Sequence, residues 1–412
     1  MSELTYLEKL LDGVKVEWQT LGKVLKRTKG TKITAGQMKA LHKDNAPLKI
    51  FAGGKTVAFV DFKDIPEKDI NREPSIIVKS RGIIEFEYYD KPFSHKNEMW
   101  SYHSNNDAIS IKYIYYFLKI NEGYFQKIGG KMQMPQIATP DTDKFEVPIP
   151  CPDNPEKSLA IQSEIVRILD KFTALTAELT AELTAELNMR KKQYNYYRDQ
   201  LLSFKEGEVE WKTLGEIGKW YGGGTPSKNK IEFWENGSIP WISPKDMGRT
   251  LVDSSEDYIT EEAVLQSSTK LIPANSIAIV VRSSILDKVL PSALIKVPAT
   301  LNQDMKAVIP HENILVKYIY HMIGSRGSDI LRAAKKTGGS VASIDSKKLF
   351  SFKIPVPNIN EQQRIVEILD KFDTLTNSIT EGLPREIELR QKQYEYYRDL
   401  LFSFPKPETV SN

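Results

Sequence analysis

An internal duplication constrains the fold of this chain more than any other feature. The segment VEWQTLGKV at residues 16–24 returns as VEWKTLGEI at residues 209–217. Near the ends of the two halves, RKKQYNYYRDQLLSF at residues 190–204 returns as RQKQYEYYRDLLFSF at residues 390–404. Because a repeated sequence folds into a repeated structure, the chain is expected to contain one architecture twice, with an internal pseudo-two-fold relation.

Each copy is expected to consist of a variable block followed by a long helix. The motifs VPIP at residues 147–150 and IPVP at residues 354–357 mark the end of each block. The predicted order is a first block, a central helix, a second block, a distal helix and a tail. These five segments cover residues 1–156, 157–205, 206–358, 359–405 and 406–412.

The segment after the first block has the pattern of a long amphipathic helix. Ile161, Ile165 and Leu169 recur at four-residue spacing, and no Gly or Pro occurs between residues 159 and 204. In the second copy, the sequence GLP at residues 382–384 predicts a break, with its proline in the first turn of a new helix. Two such helices are expected to pack antiparallel, as a coiled coil, each covering the apolar stripe of the other. The alternative is that each helix packs only on its own block.

Strand and helix patterns are mixed within the blocks. The β-branched runs PSIIVKS at residues 74–80 and SIAIVVRSS at residues 276–284 predict buried strands. Amphipathic stretches at residues 108–119 and 314–324 predict helices at comparable places in the two blocks. The blocks are therefore expected to share one α/β (α+β) fold with different surfaces.

The composition limits the class of protein. A hydrophobic content of 40% with 27% charged residues is typical of a soluble globular chain. The net charge is only +3, so a polyanionic partner has to be inferred from local patches. Cys151 is the only cysteine, which excludes an internal disulfide and a cysteine-built metal site. The apolar runs are too short to cross a bilayer and no secretory signal is visible, so a cytoplasmic protein is expected.

The sequence contains no recognisable catalytic or metal-binding motif. Its five histidines lack the spacing of metal ligands. The run AGGKT at residues 52–56 lacks the first glycine of a phosphate-binding loop. The glycine-rich cofactor loop and the Asn/Asp-Pro-Pro-aromatic motif of a base methyltransferase are also missing. We therefore expect no catalytic residue, no metal site and no cofactor bound by this chain.

Basic residues cluster early in the first block. Seven Lys or Arg residues and no acidic residue occur between Lys23 and Lys43. Such a run is either a solvated face or a surface that grips DNA phosphates. Basic, hydroxyl and amide side chains at other predicted turns would add phosphate or base-edge contacts. The candidate DNA-binding residues of the first block are Lys26, Arg27, Lys29, Lys32, Lys79, Ser80, Arg81, His95, Lys96, Lys131 and Gln133.

Glycine, hydroxyl and lysine residues come together in three loops of the second block. WYGGGTPSKNK at residues 220–230 would let backbone N–H groups approach an anionic DNA backbone. IPWISPKDM at residues 239–247 and KKTGGS at residues 335–340 are similar loops. A structural turn explains any one of them equally well, but three in one block favour nucleic-acid binding. The candidate DNA-binding residues are Gly223, Gly224, Thr225, Ser227, Lys228, Trp241, Ser243, Lys245, Arg282, Ser283, Asn302, Gln303, Lys336 and Ser340.

Several of these segments resemble the specificity subunits of type I restriction-modification enzymes. They are the run from GGGTPSK to IPWISPKDM at residues 222–247, the run from GGSVASID to IPVP at residues 338–357, and the helix start EQQRIVEILDKF at residues 361–372. The duplicated layout extends the resemblance over nearly the whole chain. The repeat TAELTAELTAEL at residues 176–187 is similar to that of the subclass called IC.

The resemblance implies two target-recognition domains, each reading one half of a split, asymmetric sequence in double-stranded DNA. It also implies that the helices dock two modification subunits, which bring S-adenosylmethionine and methylate adenine. Restriction subunits, which use ATP with Mg²⁺, would join this complex, and the chain itself would be a non-catalytic specificity subunit. The alternatives are a two-domain protein-binding scaffold, which leaves the basic and glycine loops unexplained, and a DNA enzyme in its own right, which the missing motifs disfavour.

The TAEL repeat predicts a spacer of adjustable length. Ala, Glu and Leu are strong helix formers, and a packed helix pair tolerates a four-residue insertion as a local change in winding. One TAEL unit adds about 6 Å of rise and a net turn of about 40°, whereas one base pair adds about 3.4 Å and about 34 to 36°. The repeat is thus expected to set the gap between the two half-sites, and the alternative is a helical filler. The spacer residues are Thr176, Leu179, Leu183 and Leu187.

Overall fold

Two compact units make up the chain, of which the first is built from two separate stretches of the sequence and the second from one continuous stretch. Unit 1 comprises Met1–Thr180 and Leu389–Asn412, and unit 2 comprises Ala181–Glu388. Each unit therefore contains one variable block together with segments of both long helical regions. The computed structural model describes residues 6–130, 134–336, 338, 340–377 and 381–405.

Besides a two-stranded ribbon, the described residues of unit 1 form two sheets. Ser75–Lys79 is buried at every position and lies inside a four-stranded antiparallel sheet, as its β-branched sequence predicted. The second sheet is three-stranded and includes one parallel pair. The strand orders are Lys26–Arg27, Trp100–His103, Ser75–Lys79, Glu85–Tyr89 for the first sheet and Val57–Val60, Leu48–Phe51, Phe93–His95 for the second.

Short helices cover the sheets of unit 1. Ile111–Ile120 buries Tyr113 and Ile114 in the core, and it lies where the amphipathic pattern predicted a helix. Ser110 caps this helix because its side chain accepts a hydrogen bond from the Tyr113 N–H group. The first block also contains the helices Tyr6–Leu11, Leu21–Val24, Ala35–Leu41, Glu122–Gly129 and Thr139–Asp143 and the 3-10 turns Phe62–Asp64 and Glu67–Asp69.

Unit 2 repeats this plan. Ser276–Val280 is again buried at every position and lies in the middle of the larger sheet. The second sheet is again three-stranded with one parallel pair. The strand orders are Gly218–Gly222, Met305–Pro310, Ser276–Val280, Ser292–Ile295, Leu251–Val252 for the larger sheet and Tyr258–Ile259, Ile239–Ile242, Thr300–Leu301 for the smaller.

The matching sheets confirm that one α/β (α+β) fold is present twice. In unit 2, Val316–Ala334 takes the place of the helix Ile111–Ile120 of unit 1 and begins within the predicted stretch. Among the described residues, no helix combines the length and the apolar character of a membrane span. The second block also contains the helices Glu261–Gln266 and Ser346–Ser351 and the 3-10 turns Ile231–Phe233, Pro244–Asp246 and Ser284–Asp287.

A two-stranded ribbon made of duplicated motifs lies in each unit. Val16–Thr20 pairs antiparallel with Glu146–Pro150 in unit 1. Glu210–Thr213 pairs antiparallel with Lys353–Val356 in unit 2. The VEW motif and the proline motif are therefore repeated together because they are partners in one structural element.

The long helices follow the prediction in outline. The central helix Pro155–Leu201 is continuous over 47 residues. The distal region forms two helices, Ile359–Asn377 and Gly382–Leu401, and Gly382 has a positive φ of 80°. The predicted break is thus confirmed, with the proline in the first turn of the second helix. The four spacer residues Thr176, Leu179, Leu183 and Leu187 are all half-buried, as expected for one face of a packed helix.

Within each unit, an early part of one long helix meets a late part of the other. In unit 1, Phe172 of the central helix stacks on Tyr397 of the distal helix, with ring centroids 5.8 Å apart. In unit 2, Phe372 of the distal region stacks on Tyr197 of the central helix at the same distance of 5.8 Å. These pairs confirm the antiparallel helix packing that the sequence predicted.

Residues that follow the long helices complete the cores of the units. Leu202 is fully buried in the core of unit 2, and Phe402 and Phe404 are buried in the core of unit 1. The centroid of the Phe402 ring lies 5.4 Å from the centroid of the Tyr113 ring and 5.6 Å from that of the Phe117 ring. The core of the first block therefore depends on residues from the end of the chain.

The substitution Phe402→Ala is expected to lower the free energy of unfolding of unit 1 by about 3–5 kcal/mol, because it opens a cavity in an aromatic core. Tyr396→Ala is the matched control, since Tyr396 is 62% exposed, and its change should stay within about 0.5 kcal/mol. Hydrogen exchange on the intact chain measures both. Protection should fall in Ser75–Lys79 but not in Ser276–Val280, and an equal loss in both strands would contradict the assignment.

Candidate nucleic-acid interface

In unit 1, the basic segment at residues 26–32 crosses from the larger sheet to the smaller one. Two backbone hydrogen bonds anchor it. The Thr28 N–H group donates to the Ser101 carbonyl at 2.8 Å, and the Thr31 N–H group donates to the His95 carbonyl at 2.7 Å. The segment is thus held at two points, which fixes the positions from which its exposed side chains project.

The charges on this loop are compensated unequally. Arg27 forms an ion pair with Asp143 at 2.9 Å, which neutralises part of its charge. Lys26, Lys29 and Lys32 are exposed, and within the described ranges none of the three is in an ion pair. These lysines are therefore the available cations of the loop.

A cleft of about 720 Å³ opens beside the loop. Lys29 and Lys68 bring positive charge to it, and Asn97 adds an amide. Glu98 also lines the cleft, but its carboxylate is held by the Lys96 ammonium at 2.6 Å. Lys68 and Asn97 are not among the residues predicted from the sequence, because only the fold brings them next to the basic segment.

Lys79 does not reach the surface as a free cation. Its ammonium lies 2.6 Å from Glu85 and 2.8 Å from Glu87, and the residue is only 8% exposed. Burial disfavours the charged amine, but hydrogen bonds to the two carboxylates outweigh it, so the pKa of Lys79 is raised. Lys79 therefore belongs to a buried ion cluster and is left out of the surface that we assign to DNA.

His95 is also an interior residue. It is fully buried, with Nδ1 3.0 Å from the Lys96 carbonyl and Nε2 3.1 Å from the Thr28 hydroxyl. A carbonyl can only accept, so Nδ1 carries the proton and Nε2 accepts from the hydroxyl. Burial lowers the pKa of His95, which keeps the imidazole neutral. Its side chain has no surface from which to contact DNA.

The other candidates of the first block fall into three groups. Ser80 is buried and donates to the Glu98 carbonyl at 3.2 Å. Arg81 is exposed and Lys96 is partly exposed. Lys131 and Gln133 lie outside the described residues.

The glycine loop of unit 2 uses its backbone N–H groups inside the protein. The Gly223 N–H group donates to the Met305 carbonyl at 3.1 Å, and the Gly224 N–H group donates to the Leu301 carbonyl at 2.8 Å. A Cβ on Gly223 would lie 1.8 Å from the Asn302 carbonyl oxygen. These glycines permit a close chain crossing, and this corrects the expectation that their N–H groups approach the DNA backbone.

Trp241 and Ser243 also have structural roles. The Trp241 indole N–H group donates to the Gly224 carbonyl at 2.9 Å and is buried beneath the loop. The Ser243 hydroxyl donates to Asp246 at 3.1 Å, and the Ser243 backbone N–H group donates to the same carboxylate at 2.8 Å. Trp241 therefore supports the glycine loop from beneath, and Ser243 caps the turn Pro244–Asp246.

The remaining candidates of unit 2 lie at the surface. Thr225 is partly exposed and donates a hydrogen bond from its hydroxyl to the exposed Gln303 side chain. Ser283 and Asn302 are partly exposed and cap local turns. The exposed candidates are Ser227, Lys228, Lys245, Arg282, Lys336 and Ser340.

The loops at residues 26–32 and 222–228 are structural equivalents. Each leaves an edge strand of the larger sheet and crosses to the smaller one. Each contains a glycine at the crossing, since a Cβ on Gly30 would lie 2.4 Å from the His95 carbonyl oxygen. This equivalence was invisible in the sequence, because the first block has no GGGTP segment.

The described residues contain no group of three His, Cys, Asp or Glu side chains that could hold a metal ion. Each unit instead offers an anchored loop with exposed lysine side chains beside a second sheet. Two copies of one such domain, joined through long helices, define a bipartite recognition protein.

Comparison with known families gives the same assignment. Residues 15–189 and 206–389 match the family described as Type I restriction modification DNA specificity domain. The two matches cover most of the chain and correspond to its two copies, so the chain belongs to this family. It is a specificity subunit, which is the non-catalytic subunit of a type I restriction-modification enzyme.

Individual relatives agree over the full length. The specificity subunit of the Escherichia coli type I restriction enzyme EcoR124I/EcoR124II is 72% identical over 417 aligned positions, which cover 100% of both chains. The Escherichia coli EcoprrI specificity subunit is 38% identical and covers 92% of this chain and 93% of its own. A solved structure described as the structural basis of complex assembly and conformational transition of the type I R-M system has a TM-score of 0.59 at 14% identity, and it covers 94% of this chain and 97% of its own. This last likeness supports the fold.

Replacing Gly223 tests the structural role of the glycine loop. Gly223→Ala is expected to destabilise unit 2 by about 1–3 kcal/mol or more, because the added Cβ collides with backbone. Gly222→Ala is the matched control, since nothing lies within 4 Å of its Cβ position. Its effect should be below about 1 kcal/mol. Denaturant unfolding of the full chain compares the two, and equal stability would contradict the proposed chain crossing.

Proposed function

We propose that each unit reads one half of a split, asymmetric sequence in double-stranded DNA. The observation that carries this proposal is the equivalent crossing loop of the two units. It presents Lys29 and Lys32 in unit 1 and Ser227 and Lys228 in unit 2, all exposed. Lysine and hydroxyl side chains position a protein on DNA phosphates, and neighbouring side chains then read the bases. The recognition domains of this proposal are residues 1–156 and 206–358.

The helical segments at residues 157–205 and 359–405 are proposed to dock two modification subunits, which bring S-adenosylmethionine. Restriction subunits, which use ATP with Mg²⁺, would join the same cytoplasmic complex. The matched exposure of Tyr196 and Tyr396, both at 62%, supports two equal docking positions. This chain would bind no cofactor of its own.

Removing loop lysines is expected to reduce the salt dependence of DNA binding. For the chain assembled with its modification subunits, the double variant Lys29→Ala and Lys32→Ala should lower the slope of log affinity against log salt by about 0.9 for each lost phosphate contact. Lys9→Ala is the control, because Lys9 is exposed on the first short helix, away from the loop. Titration of duplex DNA at several salt concentrations measures the slopes.

Two results would count against this proposal. A wild-type complex that shows no salt-sensitive binding to duplex DNA would favour a protein-binding scaffold. Equal slopes for the control and the double variant would place the DNA elsewhere on the chain.

We further propose that the TAEL repeat sets the gap between the half-sites. Thr176 and Leu187 bound a stretch of the continuous central helix, so removing one unit shortens that helix without breaking it. The rotation of one unit matches one base pair to within about 6°, whereas its rise exceeds one base pair by about 2.6 Å. Bending or slack has to absorb this excess.

Deletion of residues 184–187 is expected to shorten the preferred gap by one base pair and to leave both half-sites unchanged. Insertion of a fourth TAEL unit should lengthen the gap by one base pair, which provides the matched control. Methylation of targets with varied spacers measures the gap. An unchanged gap, or altered half-sites, would contradict a spacer role.

A further inference from the structure

Arg81 and Gln136 form a side-chain pair at the surface of unit 1. Arg81 follows the central strand Ser75–Lys79, and its backbone bridges antiparallel to Gln136. The Ile137 N–H group donates to the Ser80 carbonyl at 3.0 Å, which holds the two segments together. Both side chains are exposed, so they meet on a surface that the backbone has already fixed.

The geometry of this pair is specific. The Gln136 side-chain oxygen accepts from Arg81 Nε at 3.1 Å and from Arg81 Nη2 at 2.9 Å. A guanidinium group has five N–H donors. Within the described part of the chain, one N–H of Nη1 and one N–H of Nη2 are therefore left parallel on the outer edge of Arg81, and the second N–H of Nη1 points to the opposite side.

Arg81 also keeps its charge. The first block contains three arginines, and the other two are paired with carboxylates. Arg27 pairs with Asp143 at 2.9 Å, and Arg72 pairs with Glu67 at 2.7 Å. Gln136 is neutral, so it orients Arg81 without cancelling its positive charge.

An acidic group that interacts electrostatically with Arg81 is already engaged in an ion pair. Glu98 accepts a hydrogen bond from Lys96 at 2.6 Å. Burial acts to raise the pKa of Glu98, but the hydrogen bonds from Lys96 and from its own backbone N–H group, together with the charges of Lys96 and Arg81, lower this pKa on balance. Glu98 also lines the cleft that Lys29 and Lys68 line. Arg81 therefore lies close to the proposed DNA surface.

A pair of parallel N–H donors on one edge of an arginine matches O6 and N7 of guanine in the major groove. Holding the guanidinium in place beforehand reduces the entropy lost on binding. We propose that Arg81 reads a guanine in the half-site bound by unit 1 and that Gln136 is its positioning residue. This inference rests on the proposed function, and it assigns one base to one side chain.

The test uses the full chain assembled with its modification subunits, and methylation rates on duplexes that carry each base at each position of the target. Arg81→Ala should reduce the preference for guanine about 5- to 150-fold at one position of one half-site. All other positions should keep their preferences. Because Arg81 is exposed, Arg81→Ala should not disturb folding. Misfolding would therefore not explain a change confined to one base.

Two Gln136 variants separate positioning from general packing. Gln136→Met removes the acceptor and should relax the same position about 2- to 10-fold. Gln136→Glu retains an acceptor at the same place and should keep the guanine preference, while its negative charge should weaken the binding of all targets alike. Arg282→Ala is the matched control in unit 2. Arg282 also follows the central strand of its sheet and forms the equivalent backbone bridge, to Ser343.

The outcomes are distinct. If Arg81→Ala weakens all targets equally, Arg81 contacts a phosphate and the inference is overturned. It is also overturned if no base preference changes, if Gln136→Glu loses the preference, or if Arg282→Ala relaxes the same guanine. A wild-type complex without any bipartite preference would instead refute the proposed function.

Discussion

Burial of the residues that follow the long helices is the contact on which the rest of the structure depends. Phe402 lies in the core of unit 1, although the block that forms this core is distant from it in sequence. Leu202 lies in the core of unit 2, although the block that forms this core begins after it. Unit 1 is therefore assembled from two separate stretches of the chain, whereas unit 2 is one continuous stretch that includes parts of both long helical regions. This explains why the tail motif of the helices is duplicated as strictly as the strand motifs, since both copies complete the same kind of core.

Within each unit, buried contacts also determine which groups can meet DNA. The glycine N–H groups, the Trp241 indole and the His95 imidazole satisfy internal acceptors or donors. In each unit, these hydrogen bonds hold one loop across two sheets. That loop then presents charged and hydroxyl side chains outward. Side chains such as Lys29 and Lys228 would thus make the contacts to DNA. Their backbone is held in place, because any rearrangement would break the internal hydrogen bonds of the loop.

The sequence predicted the elements that depend on local pattern and on duplication. The continuous central helix, the break at Gly382, the buried strands and the repeated fold were all visible in periodicity and in repeats. What could not be predicted depends on contacts between distant residues. The burial of His95 and the pairing of Arg81 with Gln136 follow from strand pairings that no local pattern reveals. Lys79 is an intermediate case, because its partner Glu85 lies opposite it in a hairpin.

The central claim is that two domains on one chain read two separate parts of one DNA target. The most direct measurement is the sequence motif methylated in the DNA of a host that carries this chain with its modification subunits. We expect a single bipartite, asymmetric motif, with two short defined halves separated by undefined bases. An undivided motif, or sequence-independent methylation by the assembled complex, would contradict it.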